Sequence, residues 1–273
     1  MNHPAAAELT VAIGSLGAIG RKVAAKLDQG IPGLCLVAVS ARDAAKARAT
    51  VGAYRRPVPV VPLGDLAGHA DIVVECAPAE VFLQIAQPAL KQGRTLVLIS
   101  VGALLAHPEL KELAAKHGAR IVVPSGALLG LDAVQAAAEG VIHSVTMVTR
   151  KPPNGLEGAP HLVQNNISVR DLKAPLKVFE GSAREAVKGF PANVNVAAAL
   201  SLAGIGPDRT TIQIWADPAV TRNLHTISVV ADSAEFSFSI ANVPSENPKT
   251  GKITALSIIA ALRKMASPLR IGT

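Results

Sequence analysis

The 273-residue sequence predicts an α/β chain in two parts, a doubly wound parallel-sheet domain followed by a second α+β domain carrying an antiparallel or mixed sheet. Three observations lead there. The first half repeats one unit, a short β-branched run, a turn and an Ala/Leu-rich helical stretch, which is the texture of parallel strands joined by crossover helices. Its strand candidates, such as Ile72-Val-Val and Leu96-Val-Leu-Ile, are apolar without alternation, as suits a sheet covered on both faces. After Pro124 the pattern shifts to alternating segments joined by polar turns.

Taken in order, the first half offers strands over 10–13, 35–40, 71–76, 95–100 and 120–123, with helices over 20–27, 41–50, 80–91 and 107–117 between them. A helical stretch over 131–138 then leads to Val145-Thr-Met-Val-Thr and a Pro/Gly-rich loop, 151–160. Ser182 and Glu185 have capping-box spacing and should start a short helix. Residues 193–202 are alanine-rich and helical in texture, while 211–215, 225–230 and 235–240 read as antiparallel strands with one exposed face. The last helix, 253–266, is apolar at 253, 256, 259 and 262 and is expected to return to the first domain. Domain boundaries of 1–124 and 125–246 follow, with 247–273 packing back on the first.

Composition removes several function classes. A chain that is 49% hydrophobic and 17% charged is not intrinsically disordered. No apolar run reaches the roughly 18 residues of a membrane helix, and Met1-Asn-His-Pro-Ala does not open a secretory signal, so a cytoplasmic protein is expected. Cys35 and Cys76, the two cysteines, make neither a disulfide framework nor a zinc cluster, and no metal is expected. The net charge of +7 invites nucleic acid, yet Lys and Arg are scattered as singles and pairs and seven aromatics are too few for a base-stacking surface. The basic balance suits an anionic small molecule instead.

The run Thr10-Val-Ala-Ile-Gly14-Ser15-Leu16-Gly17-Ala18-Ile19-Gly20 sets a glycine turn between the first strand and the first helix. Glycine lets backbone amides approach a pyrophosphate at the positive helix end, so 14–19 are cofactor-binding candidates in a Rossmann-type domain. The spacing is G-x-x-G-x-x-G, with Ser15 where the common fingerprint has its first glycine. At the end of the second strand, Ser40 and Arg42 suit a 2′-phosphate, whereas Asp43 comes later than a ribose-binding carboxylate normally does. NADP should therefore be accepted alongside NAD. Ala77 and Pro78, after the third strand, complete the cofactor candidates in this domain.

Histidine titrates nearest neutrality, which suits it to general acid and base work. Of seven histidines, His225 sits at a strand start, beside Asn223 and after the Asp217-Pro218 turn, and is the favoured base. Cys76 reads as a small buried residue and not as a nucleophile. The second half also holds Val123-Pro-Ser-Gly-Ala127, Phe190-Pro-Ala-Asn193-Val-Asn195, Asn223-Leu-His225 and Asn242-Val-Pro-Ser-Glu-Asn247-Pro-Lys. Through these segments the chain resembles the L-aspartate dehydrogenase family, from the glycine turn to the last helix. The resemblance implies hydride transfer from Cα of L-aspartate to NAD or NADP, giving iminoaspartate and then oxaloacetate and ammonia, or feeding NAD biosynthesis. It also implies an acid/base role for His225, cofactor contacts near Ala127 and at Asn195, and a substrate site that includes Asn195, Asn223 and His225.

Two substrate carboxylates call for cationic partners. Lys151 ranks first, because its loop leads out of a second-domain strand, ahead of Arg150 and Lys249. Such an enzyme would work as a homodimer if the exposed sheet face of Thr, Ser and Val pairs with its symmetry mate. Two alternatives share the scaffold: an NADP-linked reductase similar to dihydrodipicolinate reductase, and a nonenzymatic NADP-sensing regulator. The first lacks its Glu-x-x-His-His segment here, and the second has no use for a histidine and paired asparagines.

Overall fold

The computed structural model describes residues 8–191, 195–245 and 251–272. The chain divides into two compact units, Met1–Pro124 with Ala255–Arg270, and Ser125–Thr254 with Ile271–Thr273.

The first unit contains β1 (Leu9–Gly14), α1 (Ala18–Gln29), β2 (Leu34–Ser40), α2 (Ala44–Gly52), α3 (Leu66–His69), β3 (Ile72–Glu75), α4 (Phe82–Lys91), β4 (Thr95–Leu98), α5 (Val101–Ala106), α6 (Glu109–Lys116) and β5 (Arg120–Val122). Its five strands are parallel, in the order β2-β1-β3-β4-β5. Consecutive residues Val11 to Ile13 and Ile72 to Val74 are all buried, so both faces of the sheet are covered. Val11, Ile13, Val74 and Val97 pack with Val23, Ala24 and Leu27 of α1 and with Ala255, Ile258 and Leu262 of the C-terminal helix. α3 lies against β1 and β2, and α4 against β3 and β4.

The helix expected from residue 41 begins at Ala44, because the Asp43 carboxylate accepts from the Lys46 amide and caps it there. The fourth strand stops at Leu98, two residues short of its expected end, and 101–106 turn into a helix of their own. That helix carries too few residues to show a period.

The second unit contains α7 (Leu131–Ala138), β6 (Ile142–Lys151), α8 (Pro160–Gln164), β7 (Leu176–Ser182), α9 (Ala183–Gly189), α10 (Asn195–Ala203), β8 (Thr210–Ala216), β9 (Asn223–Ala231) and β10 (Glu235–Asn242), and α11 (Ile253–Ala266) follows. Its sheet is mixed, in the order β10-β9-β6-β8-β7. β8 runs parallel to β6, contrary to the antiparallel expectation for 211–215, because α8, β7, α9 and α10 intervene and carry the chain back to the same end. β7 itself was not anticipated. A register shift between Lys177 and Phe179 breaks the alternation that would have marked it. One face of this sheet presents Val145, Met147, Ile212, Ile214, Ile227 and Val229 to a core shared with Val134 of α7, Ala186 of α9 and Leu200 of α10. The capping box forms as expected, with Ser182 and Glu185 satisfying each other's backbone amides.

In α11 the buried stripe is Ala255, Ile258 and Leu262, whereas Ile253 and Leu256 are 40% and 60% exposed. This differs from the 253-256-259-262 stripe expected. The helix is apolar around most of its circumference, so two stripes fit the same sequence and packing in the core of the first unit chooses between them.

The first βα turn brings backbone segments close together. A Cβ on Gly20 would lie 1.9 Å from the Ser15 carbonyl oxygen and 3.3 Å from Cys76 Sγ, whereas one on Gly17 would meet nothing nearer than 3.8 Å. Gly20→Ala must therefore displace backbone and should lower unfolding free energy by about 2–3 kcal/mol or more, in the range of overpacked sites. Gly17→Ala should fall within about 1 kcal/mol of the parent, near the usual range for sites without clash. Urea denaturation of the two variants checks the contrast, and equal losses would contradict it.

Candidate active site

In an open parallel sheet, ligands bind outside the carboxyl ends of the strands where the order reverses. Here that point lies between β1 and β3, since β2 flanks β1 on its other side. A cavity of about 420 Å³ opens at this edge, and Ser15, Leu16, Gly17, Arg42 and Pro78 line it as the cofactor reading requires. Arg21 and Lys46 line it as well, and these the sequence did not single out. Gly17 caps α1 without a side-chain hydrogen bond, which leaves first-turn amides for an anion. Ala18 and Ile19 form that first turn, and Gly14 lies buried beneath it. These features fit a dinucleotide: an uncapped helix start for the pyrophosphate, and three cations for a phosphate nearby.

Ser15 takes φ +108°, a left-handed conformation that glycine adopts freely and serine does not. The departure from the fingerprint is thus one of residue and not of backbone. Ser40 is 4% exposed and does not line the cavity, whereas Arg42 does. Asp43 spends its carboxylate on the α2 cap. Ala77 donates its amide to the buried Glu75 carboxylate. Burial, together with that same Glu75, pushes the Cys76 thiol far above its ordinary range, which leaves it unreactive.

In the second unit the apolar sheet face turns polar at one end. Alternation places Thr149 and Lys151 on the same side of β6 as Val145 and Met147, and His225 and Asn223 on the same side of β9 as Val229 and Ile227. Thr149 pairs directly with His225 in the ladder, and its Oγ1 lies 3.0 Å from His225 Nδ1. That bond occupies one ring nitrogen and leaves Nε2 for proton exchange. Lys151 and His225 are each 3% exposed. Burial draws the Lys151 ammonium down to about 8. Burial and the neighbouring Lys151 draw His225 down to about 3. One strand over, Asn242 of β10 pairs with Asn223 and donates Nδ2 to the Ala127 carbonyl at 2.9 Å, which ties Ala127 to this end of the sheet.

Lys151, Asn223 and His225 therefore converge on one sheet face, and Arg150 does not. Its alternate position sends it to the opposite face, where it pairs with Asp217 at 3.0 Å and lies 5.0 Å over the Trp215 ring. Asp217 and the Trp215 ring hold it on that face. Asn195 opens α10 and is exposed, while Asn193 and Lys249 lie outside the described residues. Among the other histidines, His69, His117 and His143 are exposed, His107 pairs with Glu109, and His161 packs on Phe179 and Phe190. Sequence reasoning missed Thr149 and Asn242. The signal for Thr149 was its place two residues before Lys151, and Asn242 opened a segment already marked as unusual. Among the described residues no group of three or more His, Cys, Asp or Glu could hold a metal ion, and no helix is long and apolar enough to cross a membrane.

The sign of the His225 shift fixes a pH dependence. As pH falls below about 6.5 the unfolded imidazole takes a proton that the folded one refuses until about 3, so proton uptake favours unfolding. At pH 5 this linkage removes about 2 kcal/mol, at 1.36 kcal/mol per pKa unit. Urea melts at pH 7 and pH 5 should show a larger loss for the parent than for His225→Asn, and equal losses would contradict the shift.

Known proteins resemble this chain. A family model described as aspartate dehydrogenase, C-terminal, matches residues 132–265, and one described as homoserine dehydrogenase, NAD binding domain, matches 16–124. The chain is 61% identical over 272 residues to an L-aspartate dehydrogenase of Bradyrhizobium diazoefficiens, covering 100% of this chain and 97% of that one. It is 44% identical to one of Methanocella arvoryzae, covering 96% and 99%. The crystal structure of aspartate dehydrogenase from Thermotoga maritima is similar with a TM-score of 0.73 at 27% identity, over 97% of this chain and 100% of that one. A homoserine dehydrogenase structure from Thiobacillus denitrificans, at 14% identity and a TM-score of 0.62, shares the fold. With full-length identity at this level, the chain belongs to the L-aspartate dehydrogenase family.

Proposed function

We propose that the protein catalyses the reversible NAD(P)-dependent oxidative deamination of L-aspartate to iminoaspartate, and so to oxaloacetate and ammonia, and that it serves NAD biosynthesis in the cytoplasm. The observation that carries this reading is the buried Lys151 and His225 pair on the polar end of a sheet face, in a chain with L-aspartate dehydrogenase relatives. When bound, the nicotinamide supplies an acceptor for the hydride leaving Cα.

The residues of the chain do the rest. An ammonium at Lys151 offers one substrate carboxylate a charge-assisted partner, and that carboxylate in turn raises Lys151 from its depressed value and keeps it charged. A dicarboxylate beside His225 offsets the Lys151 field that depresses the imidazole, so His225 gains basicity when substrate arrives. His225 then takes the substrate ammonium proton through Nε2, with Thr149 holding the ring by Nδ1, and, once that proton has been released to solvent, the neutral ring activates the water that attacks the imine. Asn223 supplies an amide to the same face, and Asn195 and Ala127 serve the cofactor. In the cavity of the first unit, Arg42, Arg21 and Lys46 favour a 2′-phosphate and thus acceptance of NADP beside NAD. The outward face of the second sheet, with Thr146, Val148, Thr226 and Ser228, is the surface proposed to pair two chains across a twofold axis.

Absorbance at 340 nm with L-aspartate against other amino acids, each cofactor in turn, tests the assignment. Absence of L-aspartate-dependent reduction of both cofactors, and of oxidation with oxaloacetate and ammonia, would overturn it. His225→Ala should lower kcat by about a hundredfold to ten-thousandfold, with cofactor Kd little changed because the pyrophosphate grip is backbone around Gly17. A fully active variant would remove His225 from the chemistry. Light scattering at micromolar concentration should give the mass of two chains, and a monomer would remove the pairing.

A further inference from the structure

Glu75 is a carboxylate with no place in the chemistry above. It ends β3 with 0% exposure, level with Gly14 of β1 on one side and Leu98 of β4 on the other. Four donors converge on it. The Ala77 amide and the Ser100 hydroxyl reach Oε1 at 2.9 and 3.0 Å, and the Ile99 and Ser100 amides reach Oε2 at 3.2 and 3.0 Å. Each partner donates, which is the complement of an acceptor-only carboxylate. Burial pushes its pKa above the usual carboxylate range, against the pull of those four bonds. A parallel-sheet core has no packing need for such a group, whose desolvation is costly, and the preceding residues Ile72, Val73 and Val74 show what the core itself selects.

What the bonds fasten is the rim of the cavity. Ala77 precedes Pro78, which lines the cavity with Ser15 and Gly17, and the Cys76 amide reaches the Gly14 carbonyl at 3.3 Å. Ser100 leads the chain into α5 from the neighbouring strand. Two loops that leave adjacent strand ends are thus tied to one carboxylate directly beside the glycine turn.

We propose that Glu75 is a positioning residue for the dinucleotide, holding the Ala77-Pro78 segment in place against the cavity before the cofactor arrives. This rests on reading the cavity as the cofactor site. The isosteric Glu75→Gln separates the tether from the packing. Its remaining oxygen can keep the Ile99 and Ser100 amides, and its amide group can donate to a Ser100 hydroxyl turned toward the Ala77 carbonyl, which already lies 3.4 Å away. Only the Ala77 N–H then faces another donor and loses its partner.

The test is calorimetric titration of NADP and of NAD into the parent and into Glu75→Gln, with thermal melts and kcat at saturating cofactor beside it. The expected result is a Kd raised about tenfold or more, the low end of what a lost hydrogen bond to a charged group is worth, while kcat stays within about twofold. Ser100→Ala, which keeps the Ala77 bond, should leave Kd nearly unchanged. A Glu75→Gln protein that melts lower with an unaltered Kd would overturn the proposal and make Glu75 merely structural. Failure of the parent to bind either cofactor would instead overturn the reading of the cavity. If Glu75→Gln does not fold, hydrogen exchange on the cofactor-free parent decides: the Ala77 amide should be protected, and exchange at the rate of an open peptide would overturn the proposal.

Discussion

The second unit depends on burying an ammonium and an imidazole at the end of a sheet face that is otherwise aliphatic. Both groups disfavour that environment in their charged forms, so neither would be chosen for stability. The face tolerates them because the alternation that sends Val145 and Met147 into the core also sends in Thr149 and Lys151, and β9 treats Ile227 and His225 alike. The polar end of this face therefore rests on a strand pair. Its geometry is set by ladder hydrogen bonds, not by loop conformation.

Much of this organisation was legible in the sequence, because it is written in periodicity and in backbone-specific residues. Unalternating apolar runs mark a doubly covered sheet, and the spacing of Gly14, Gly17 and Gly20 marks a turn that must carry a helix close to a strand. His225 stood out for similar local reasons, at a strand start beside Asn223. What failed was information that neighbours in sequence do not hold. Lys151 read as a loop residue after a strand ending near Thr149, yet β6 continues through it, and that extension buries Lys151 while turning Arg150 outward. A one-residue change of parity separates the buried Lys151 from Arg150 on the opposite face. The parallel pairing of β8 with β6, and the strand β7 hidden by its bulge, were likewise decided by distant partners.

The two units solve opposite electrostatic problems at their sheet ends. The first buries a carboxylate, Glu75, and satisfies it wholly from backbone and hydroxyl donors, while keeping Arg21, Arg42 and Lys46 around an open cavity. The second buries two bases, Lys151 and His225, at the end of an aliphatic sheet face. A net charge of +7 is consistent with both, since neither needs a continuous basic surface. Scattered single cations are what small anionic ligands require.

The left-handed backbone at Ser15 has an energetic consequence of its own. A glycine there would relax the folded turn, but it would also give the unfolded chain more conformations to lose, so the two effects oppose each other. Serine accepts strain in the native turn in exchange for a less floppy denatured segment and a hydroxyl at the cavity wall. Whichever of the two effects is larger decides whether glycine at this position would stabilise the chain.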